Sequence, residues 1–469
     1  MDCSILKSMA QFCADLAYDD LTDTDKRAVK RCVLDYLAAS AAGFSVNKTF
    51  SDALFRVMSG MGGIEESTVM FYRRRLPAAN AAFMNGVLSH GADMDDGFRT
   101  AQGHPGASII SAAFALAERE KTAADAFFPA VAAGYEVFAK LGTAVNPYHA
   151  LSGFHSTGTV GTVAAAAAAG RMLNLPPQRM LHAIGFGCMQ AAGLLEVVEN
   201  GQQSKPINTG RAAQSGVLSA LWAEAGACAP ASILEGKKGF LNAFSENAAA
   251  SCEELHFKFP LSVDNGYFKA YPACRHTHGA IDLALDARAY IRSTKEIQRI
   301  IVSLYPIGIR VAGGSRCPAD AEQAKFSLRY TVAAALYYGR FSLEELNVSR
   351  CLNEEILRLQ ALIEICEDTS LEDKRRNVRG AGLAIIGHDG VLLYNGRKDR
   401  PYGENPDPIP WSGLVAKLDQ CAGSLLDEER KGQIVRSIEH LESGRTAVNL
   451  LSLMQTDSQG AQKTISCPD

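Results

Sequence analysis

The densest group of chemically reactive side chains in the sequence lies between residues 90 and 106. This segment carries His90, Asp93, Asp95, Asp96 and His104 between two stretches of helical pattern. Carboxylates this close together repel one another unless cations or hydrogen bonds compensate them, so the segment is either an acidic surface loop or a functional site. Histidine and aspartate also bind divalent metals. A metal-dependent hydrolase that uses His90, Asp93, Asp95 and His104 is one interpretation that the spacing leaves open.

His104 stands directly before a predicted helix start. Pro105 is favoured at the first helical position, and the free backbone N–H groups of a helix start suit a bound carboxylate. An imidazole titrates near neutral pH, so His104 can act as a general base or acid beside such an anion. We expect Asp93 to orient the ring and to raise its basicity.

Two further helix starts each carry a candidate side chain. His155 precedes a helix whose first turns are small residues, and Lys205 stands just ahead of another helix, for which Thr209 is the predicted N-cap. A lone histidine is more often a capping or core residue, and a lysine beside a helix start is as often a surface residue as an anion clamp. Each of these two signals is weak by itself.

The second half of the chain adds basic residues. Arg275 can bind a carboxylate through two parallel hydrogen bonds, and His276 and His278, two positions apart, point to different faces of a helix. We therefore expect only one of these histidines to reach a substrate. Lys325 and Arg329 are spaced to share one face of a helix, which we interpret as a solvated face.

Helical periodicity dominates the first 260 residues. From Thr24 to Ala42 the apolar residues fall on one helical face, and Gly43 stands where a C-cap glycine is expected. Further helical stretches, most of them rich in Ala and Gly, are predicted at residues 78–90, 107–119, 123–142, 157–173, 178–195 and 210–226. Small residues let helix axes approach closely, so this part predicts a tightly packed all-helical domain.

The pattern changes after about residue 266. Alternating apolar residues at 300–304 predict a strand, and Asp389-Gly390 between two apolar runs predicts a β-hairpin. Pro and Gly crowd residues 401–410, which marks a boundary, and helical periodicity returns in the tail from 411 to 454.

The predicted fold is therefore mainly α, with two domains. A large all-helical domain comprises residues 1–266 and 408–469, because the helical tail can rejoin the first part of the chain. A smaller α+β domain comprises residues 267–407.

Composition excludes several classes of protein. The 469 residues are 47% hydrophobic and 21% charged, and a net charge of -4 gives no field that would attract nucleic acid or an anionic membrane. The twelve cysteines show no CxxC pair and no metal-type spacing, which argues against a disulfide framework or a zinc site. The N-terminus has no signal-peptide pattern and no apolar run is long enough for a bilayer, so we expect a cytoplasmic protein.

Five segments, taken in order, resemble the MmgE/PrpD superfamily. They are HGADMDD with HPG following it, GFHSTGTVGT, SKPINTGRAA, YPACRHTHGAID and AKFSLRYTVAAAL. The resemblance spans nearly the whole chain. It implies a homodimer in which the smaller domain is a lid, with the active site in the cleft between the two domains. Family members include 2-methylcitrate dehydratase, cis-aconitate decarboxylase and iminodisuccinate epimerase, and none is known for an organic cofactor.

The resemblance also implies roles for individual residues. Matched motif by motif, the catalytic positions fall on Asp93, His104, His155, Lys205 and His278. We expect Arg99, Arg275 and Lys205 to bind carboxylates of the substrate. One position departs from the family: a Thr commonly follows the paired aspartates, and here Gly97 stands in its place. We expect a hydroxyl contact to be lost there and a cation, Arg99, to be gained.

These residues predict an enzyme that moves a proton next to a carboxylate of a small polycarboxylic acid, with no organic cofactor and no metal. Cations and helix starts aimed at the carboxylate stabilise the enolate-like charge that develops. A lyase of the dehydratase or decarboxylase type is our first expectation. An epimerase, which needs proton donors on both faces of one carbon, is the second. A non-catalytic binding protein is the last alternative, against which the crowding of His, Lys and Asp at helix starts argues.

Overall fold

The computed structural model describes residues 4–199, 203–314, 318–373, 378–443 and 446–456. Helices make up most of this part of the chain, which confirms the mainly α prediction. The helices of the first part are Ile5–Asp15, Asp23–Val46, Lys48–Gly60, Ala78–His90, Pro105–Glu120, Ala124–Val145, Tyr148–Leu151, Ser156–Met172, Pro177–Gln190, Glu196–Glu199, Lys205–Glu224, Phe240–Phe244 and Ala248–Glu254. A two-stranded ribbon, Ser67–Val69 with Arg74–Leu76, interrupts them.

The helix Ser156–Met172 lies at the centre of the helical part. Every residue from Ser156 to Gly170 is buried. This helix packs against the four helices Pro105–Glu120, Ala124–Val145, Pro177–Gln190 and Lys205–Glu224. Small residues on both sides allow this close packing, since a Cβ atom added at Gly216 of the helix Lys205–Glu224 would lie 2.5 Å from the Cβ of Ala165.

The predicted helix end at Gly43 is wrong. The helix Asp23–Val46 runs past this residue, and Asn47 is its C-cap. Gly43 instead serves a helix crossing, because a Cβ atom there would lie 1.9 Å from the carbonyl oxygen of Leu88 in the helix Ala78–His90. A glycine that permits close helix packing and a C-cap glycine leave the same signal in a sequence.

A four-stranded mixed sheet organises the second part. Its order is Ile363–Glu367, Ile297–Leu304, Ala381–Gly387 and Leu392–Lys398, with the first pair parallel and the other two antiparallel. The predicted strand at 300–304 and the predicted hairpin are both confirmed. Gly390 has φ of +76°, which a glycine adopts without strain in a tight hairpin turn.

Helices complete the second part. They are His278–Ala287, Pro306–Ala312, Ala321–Lys325, Leu328–Tyr338, Val348–Cys351 and Glu354–Ala361. His278–Ala287 packs on the strands Ala381–Gly387 and Leu392–Lys398, and it also contacts Leu328–Tyr338. The strand pair Glu372–Asp373 and Val378–Arg379 lies outside the main sheet.

Two large hydrophobic cores lie among the described residues, beside a smaller cluster around Phe83 and Met84. One core unites the first part, up to Phe268, with a segment that begins at Ile409, and the other contains residues between Ala273 and Ile385. The tail helices Trp411–Ala422, Glu428–Glu439 and Thr446–Leu450 belong to the first core, where Trp411–Ala422 packs on Asp23–Val46. We propose the domain limits 1–266 with 408–469, against 267–407, on the basis of these two cores.

Among the described helices, none has both the length and the apolar character that crossing a bilayer requires.

Candidate active site

Residues 91–104, which we call the aspartate loop, connect the helices Ala78–His90 and Pro105–Glu120. Three buried lysines hold its main chain: the ammonium of Lys325 donates to the carbonyl of Gly91 at 3.1 Å, Lys269 to that of Asp93 at 2.8 Å, and Lys417 to that of Met94 at 2.6 Å. Lys269 and Lys325 come from the second half of the chain, and Lys417 comes from the tail. Distant segments therefore fix the loop in place.

Two ammonium groups hold the carboxylate of Asp93. Lys205 contacts its Oδ1 and Lys269 its Oδ2, the latter at 2.8 Å. Burial alone would raise the pKa of Asp93, but the charges of Lys205 and Lys269 hold it well below its usual range. The expectation that Asp93 orients His104 is therefore not met, because both of its carboxylate oxygens contact lysines.

Three imidazoles converge beside this ion cluster. The ring centroid of His90 lies 5.0 Å from that of His104 and 6.0 Å from that of His155. His90 is tied to the aspartate loop through Nδ1, which lies 2.7 Å from Oδ2 of Asp95. The structure thus brings His104 and His155, which were predicted as catalytic, next to one shared neighbour, His90, which Asp95 holds.

His104 and His155 are held in opposite tautomers. Nδ1 of His104 lies 2.6 Å from the main-chain oxygen of Asp96, and because a carbonyl only accepts, Nδ1 carries the hydrogen and Nε2 is unprotonated. Asn208 donates through Nδ2 to the Leu194 carbonyl and to Nδ1 of His155, at 3.3 and 3.1 Å. Nδ1 of His155 is therefore the acceptor, and its Nε2 carries the hydrogen.

All three imidazoles are neutral near pH 7. Burial lowers the pKa of His90, His104 and His155 well below the usual value of 6.5. The charge of Lys205 lowers the pKa of each further, and Lys269 adds to this for His90 and His104. A neutral imidazole next to ammonium groups can accept a proton from a substrate whose own negative charge offsets those cations.

Asp96 has a structural position at the start of the helix Pro105–Glu120. Its carboxyl accepts a hydrogen bond from the Gly106 amide at 3.0 Å and from the Tyr135 hydroxyl at 2.6 Å. Burial raises the pKa of Asp96 to about 8, helped by the nearby carboxylate of Asp35. The helix starts at Pro105 as predicted, but its Gly106 amide serves Asp96 and is not free for a substrate.

Lys205 is the first residue of the helix Lys205–Glu224, and Ser204 is its N-cap. The predicted N-cap at Thr209 is wrong, because Thr209 lies one turn inside the helix and is buried. The Lys205 ammonium also lies 5.6 Å from the ring centroid of Phe326, which the smaller domain contributes. Both halves of the chain therefore surround this ammonium.

Arg99 and Arg275, the expected carboxylate-binding arginines, both pair with Glu404. Arg99 reaches its two oxygens at 2.6 and 2.5 Å, and Arg275 lies 3.6 Å from it. Arg275 also donates to the carbonyls of Tyr402 and Pro401, at 2.9 and 3.3 Å. A substrate carboxylate would have to compete with these protein acceptors for either guanidinium.

Both ring nitrogens of His278 have partners. Arg275 approaches Nδ1 at 3.1 Å, and Nε2 lies 3.1 Å from the carbonyl of Ala273. His276 instead contacts the hydroxyl of Tyr305, so the two histidines point to different partners, as predicted. His278 therefore contacts the Arg275 side chain and not the three converging imidazoles, although the charges of Lys269 and Asp93 act on it.

The predicted solvated face with Lys325 and Arg329 is wrong. Lys325 ends the short helix Ala321–Lys325, and Ser327 caps a new helix that contains Arg329. Lys325 is buried and paired with Glu322, while Arg329 donates to the carbonyl of Gly313.

Three residues of the site, Lys269, Asn208 and Lys417, were not predicted from the sequence. Lys269 stands two residues before the segment that begins at Tyr271, and Asn208 lies inside the Lys205 segment, so closeness to a motif was the one signal available. The ammonium of Lys417 lies 2.6 Å from the carboxylate of Asp35, although the two residues are far apart in the sequence. Nothing local in the sequence indicates this contact.

A metal remains compatible with one part of the site. Ligand atoms of His90, Asp95 and His104 all lie within 4.8 Å of one another. The charges of Lys205, Lys269 and Lys325 act on His90, however, and such charges oppose the binding of a cation there.

Comparison with known proteins agrees with this architecture. The MmgE/PrpD N-terminal domain model matches residues 7–253 and the C-terminal domain model matches residues 271–442. Cis-aconitate decarboxylase from Homo sapiens is 24% identical over 97% of this chain and 95% of its own length. The Aspergillus terreus enzyme of that name is 24% identical over 99% and 96%, and the Mus musculus enzyme is 24% identical over 94% and 91%. Because the two family models together cover most of the sequence, the chain belongs to the MmgE/PrpD family.

Proposed function

We propose that this protein is a lyase that acts on a small polycarboxylic acid of the 2-methylcitrate or cis-aconitate type, through proton transfer at a carbon next to a carboxylate. The family and the decarboxylase names of its relatives support the reaction class. The observation that carries the proposal is the pairing of an unprotonated His104 Nε2 with a protonated His155 Nε2, beside two lysine ammonium groups.

The lysines provide the anion-binding part of the site. Lys205 and Lys269 together carry two positive charges against the single charge of Asp93, so the cluster keeps an excess of positive charge. A substrate carboxylate beside it would compensate that excess, and it would be stabilised further as enolate-like charge develops. Each well-placed donor of this kind contributes about 3 kcal/mol to transition-state stabilisation.

The histidines provide the proton transfer. In a dehydration, Nε2 of His104 takes a proton from the carbon next to the carboxylate, the carbon–oxygen bond breaks, and the Nε2 hydrogen of His155 protonates the leaving hydroxide to water. In a decarboxylation, the carbon–carbon bond breaks, carbon dioxide leaves, the Nε2 hydrogen of His155 adds to the resulting carbanion, and water returns a proton to that nitrogen. The dehydration therefore uses two neutral imidazoles of opposite tautomer, and the decarboxylation uses only the one that carries hydrogen on Nε2.

Asp95 and His90 position the acid–base pair. The His90 ring is a neighbour of both His104 and His155, and its bond to Asp95 fixes its orientation. Nδ1 of His104 also lies 3.7 Å from Oδ2 of Asp95, so charge that develops on His104 is stabilised by this carboxylate. Asp95 thereby takes the place that the sequence analysis assigned to Asp93.

We also propose that the protein is a homodimer. Leu151, Met189 and Leu194 are large apolar residues that are 66%, 57% and 59% exposed, and Leu194 pairs with Phe154 directly before His155. Exposed apolar groups next to a site favour an interface. Light scattering should give the mass of two chains for the wild type. A double variant with Leu151→Glu and Leu194→Glu should give the mass of one chain. If the wild type had the mass of one chain, the proposed dimer would be wrong.

The reaction is tested with the wild-type protein and three acids. The protein is incubated in deuterated water with 2-methylcitrate, cis-aconitate and iminodisuccinate, and the products are followed by NMR. We expect loss of water or of carbon dioxide from one of the first two acids. Deuterium exchange into iminodisuccinate without net product, or no change in any of the three acids, would contradict the proposal.

A further inference from the structure

Gly97 and Tyr267 are directly opposite residues of a short antiparallel pairing. The Gly97 amide donates to the Tyr267 carbonyl at 2.9 Å, and the Tyr267 amide donates to the Gly97 carbonyl at 2.8 Å. Residues opposed in this way project their side chains from the same face of the pair. The side chain of Tyr267 therefore lies on the face where a side chain at position 97 would be.

The phenol of Tyr267 fills the space that a side chain at position 97 would need. A Cβ atom added at Gly97 would lie 2.3 Å from both Cζ and the hydroxyl oxygen of Tyr267. The hydroxyl can therefore occupy this position only because residue 97 has no side chain. The departure from the family at Gly97 removes one side chain and brings a phenol hydroxyl to within 2.3 Å of the point where that side chain would begin.

Cations surround this phenol. The guanidinium carbon of Arg275 lies 4.5 Å from the ring centroid and that of Arg99 lies 5.9 Å from it. The charge of Asp93 also acts on this phenol and raises the pKa of Tyr267. Tyr267 therefore lies near both the arginine pair and the cluster in which Lys269 holds the Asp93 carboxylate.

The hydroxyl of Tyr267 is available to a ligand. Among the described residues, none makes a hydrogen bond to this hydroxyl. Its oxygen atom is not completely shielded from solvent. Burial raises the pKa of Tyr267 to about 12, although the charges of Arg275 and Arg99 oppose this. The phenol therefore keeps its hydrogen near neutral pH and is a hydrogen-bond donor.

Resting on the proposed function, we propose that Tyr267 is a further substrate-binding residue, whose hydroxyl donates a hydrogen bond to a carboxylate oxygen of the bound polycarboxylic acid, and that Gly97 is required because it leaves room for this hydroxyl. The two guanidinium groups of Arg99 and Arg275, which share the single carboxylate of Glu404, favour an anionic acceptor at this position. A neutral analogue in which that carboxylate is an amide is then a poorer ligand.

The first test removes the hydroxyl alone. Tyr267→Phe should lower kcat/KM for the turned-over acid about tenfold, the value expected for one lost hydrogen bond to a charged group. Tyr72→Phe is the matched control, since the Tyr72 hydroxyl bonds to Asp52 at 2.9 Å, away from the aspartate loop. It should leave kcat/KM unchanged. Equal kcat/KM for Tyr267→Phe and wild type would overturn the inference.

The second test uses the coupling between the two positions. Gly97→Ala should lower kcat/KM at least as much as Tyr267→Phe, because the new methyl group displaces the phenol. In a Tyr267→Ala background the phenol is absent, so adding Gly97→Ala should cause no further loss. Gly97→Thr with Tyr267→Ala should recover part of the activity by returning a hydroxyl to the same space. Circular dichroism should show that all variants are folded. If the factors by which the single variants lower kcat/KM simply multiply in the double variants, the inference is wrong.

The two hypotheses fail in different ways. If the wild type converts none of the acids, the proposed function fails. If the wild type converts one of them and the Tyr267 and Gly97 variants convert it equally well, only the assignment of Tyr267 fails.

Discussion

The ammonium of Lys269 lies 2.8 Å from both the carboxylate and the main-chain carbonyl oxygen of Asp93. Asp93 has φ of +54°, a left-handed conformation that a non-glycine residue adopts at some cost in energy. One buried cation from outside the aspartate loop thus fixes both the backbone and the side chain of the residue at its centre. The geometry of the site therefore depends on how the two halves of the chain pack together.

Replacing Lys269 by Met should destabilise the protein and abolish turnover. Lys269 is only 1% exposed, and its removal leaves the buried Asp93 carboxylate with Lys205 as its remaining ammonium partner. Breaking a buried ion pair in this way costs about 3 kcal/mol or more of unfolding free energy. Urea denaturation followed by circular dichroism gives this difference.

The matched control for Lys269→Met is Lys48→Met. Lys48 pairs with Asp52 four residues along an exposed helix face, where such a pair contributes about 0.5 kcal/mol or less. Equal unfolding free energies for the two variants would contradict the role given to Lys269.

The activity should stay constant from pH 8 down through pH 6.5 and fall only in more acidic solution. The acid–base pair needs neutral imidazoles, and burial lowers the pKa of His104 and His155 well below 6.5, so protonation begins only below that pH. The measurement is kcat/KM between pH 4.5 and 9, with circular dichroism to confirm that the protein stays folded. If the activity fell on the acidic side with a midpoint at or above pH 6.5, either the pKa values of these histidines are not lowered or the histidines are not required.

The helix starts beside His104 and His155 could be predicted from the sequence, but the helix start at Lys205 and the contacts of these residues could not. Pro105 and the small residues after His155 are local signals, and both helices begin where they indicate. The partner of Asp93 was assigned wrongly because Lys269 lies far along the chain, and no pattern in a single sequence reports which lysine reaches a given carboxylate.

The error at Lys325 has a local cause. The spacing of Lys325 and Arg329 assumed one continuous helix, whereas the Ser327 side chain accepts a hydrogen bond from the Tyr330 amide and so starts a new helix between them. Capping by a serine inside an apolar, alanine-rich stretch breaks the helical period on which the prediction rested. Burial of Lys325 then follows from its contact with the Gly91 carbonyl of the aspartate loop.

Removing divalent metals should leave the activity unchanged. His90, Asp95 and His104 could ligate a metal ion. The ammonium groups of Lys205 and Lys269, which bind the neighbouring Asp93, oppose the binding of such an ion. The test is turnover before and after dialysis against EDTA, with metal content measured by mass spectrometry. Activity that is lost on chelation and restored by zinc would favour the hydrolase alternative.

The account depends most on His104 and His155 as the pair that exchanges protons with the substrate. The most direct measurement is the turnover number of His104→Gln and His155→Gln on the acid that the wild type converts, with deuterium incorporation followed by NMR. His388→Gln is the control, because His388 is exposed on the β-hairpin of the smaller domain. We predict that each of the first two variants folds normally and loses activity at least about 100-fold, the range expected for a general acid or base, while the control keeps wild-type activity. Turnover at the wild-type rate in both would contradict the account.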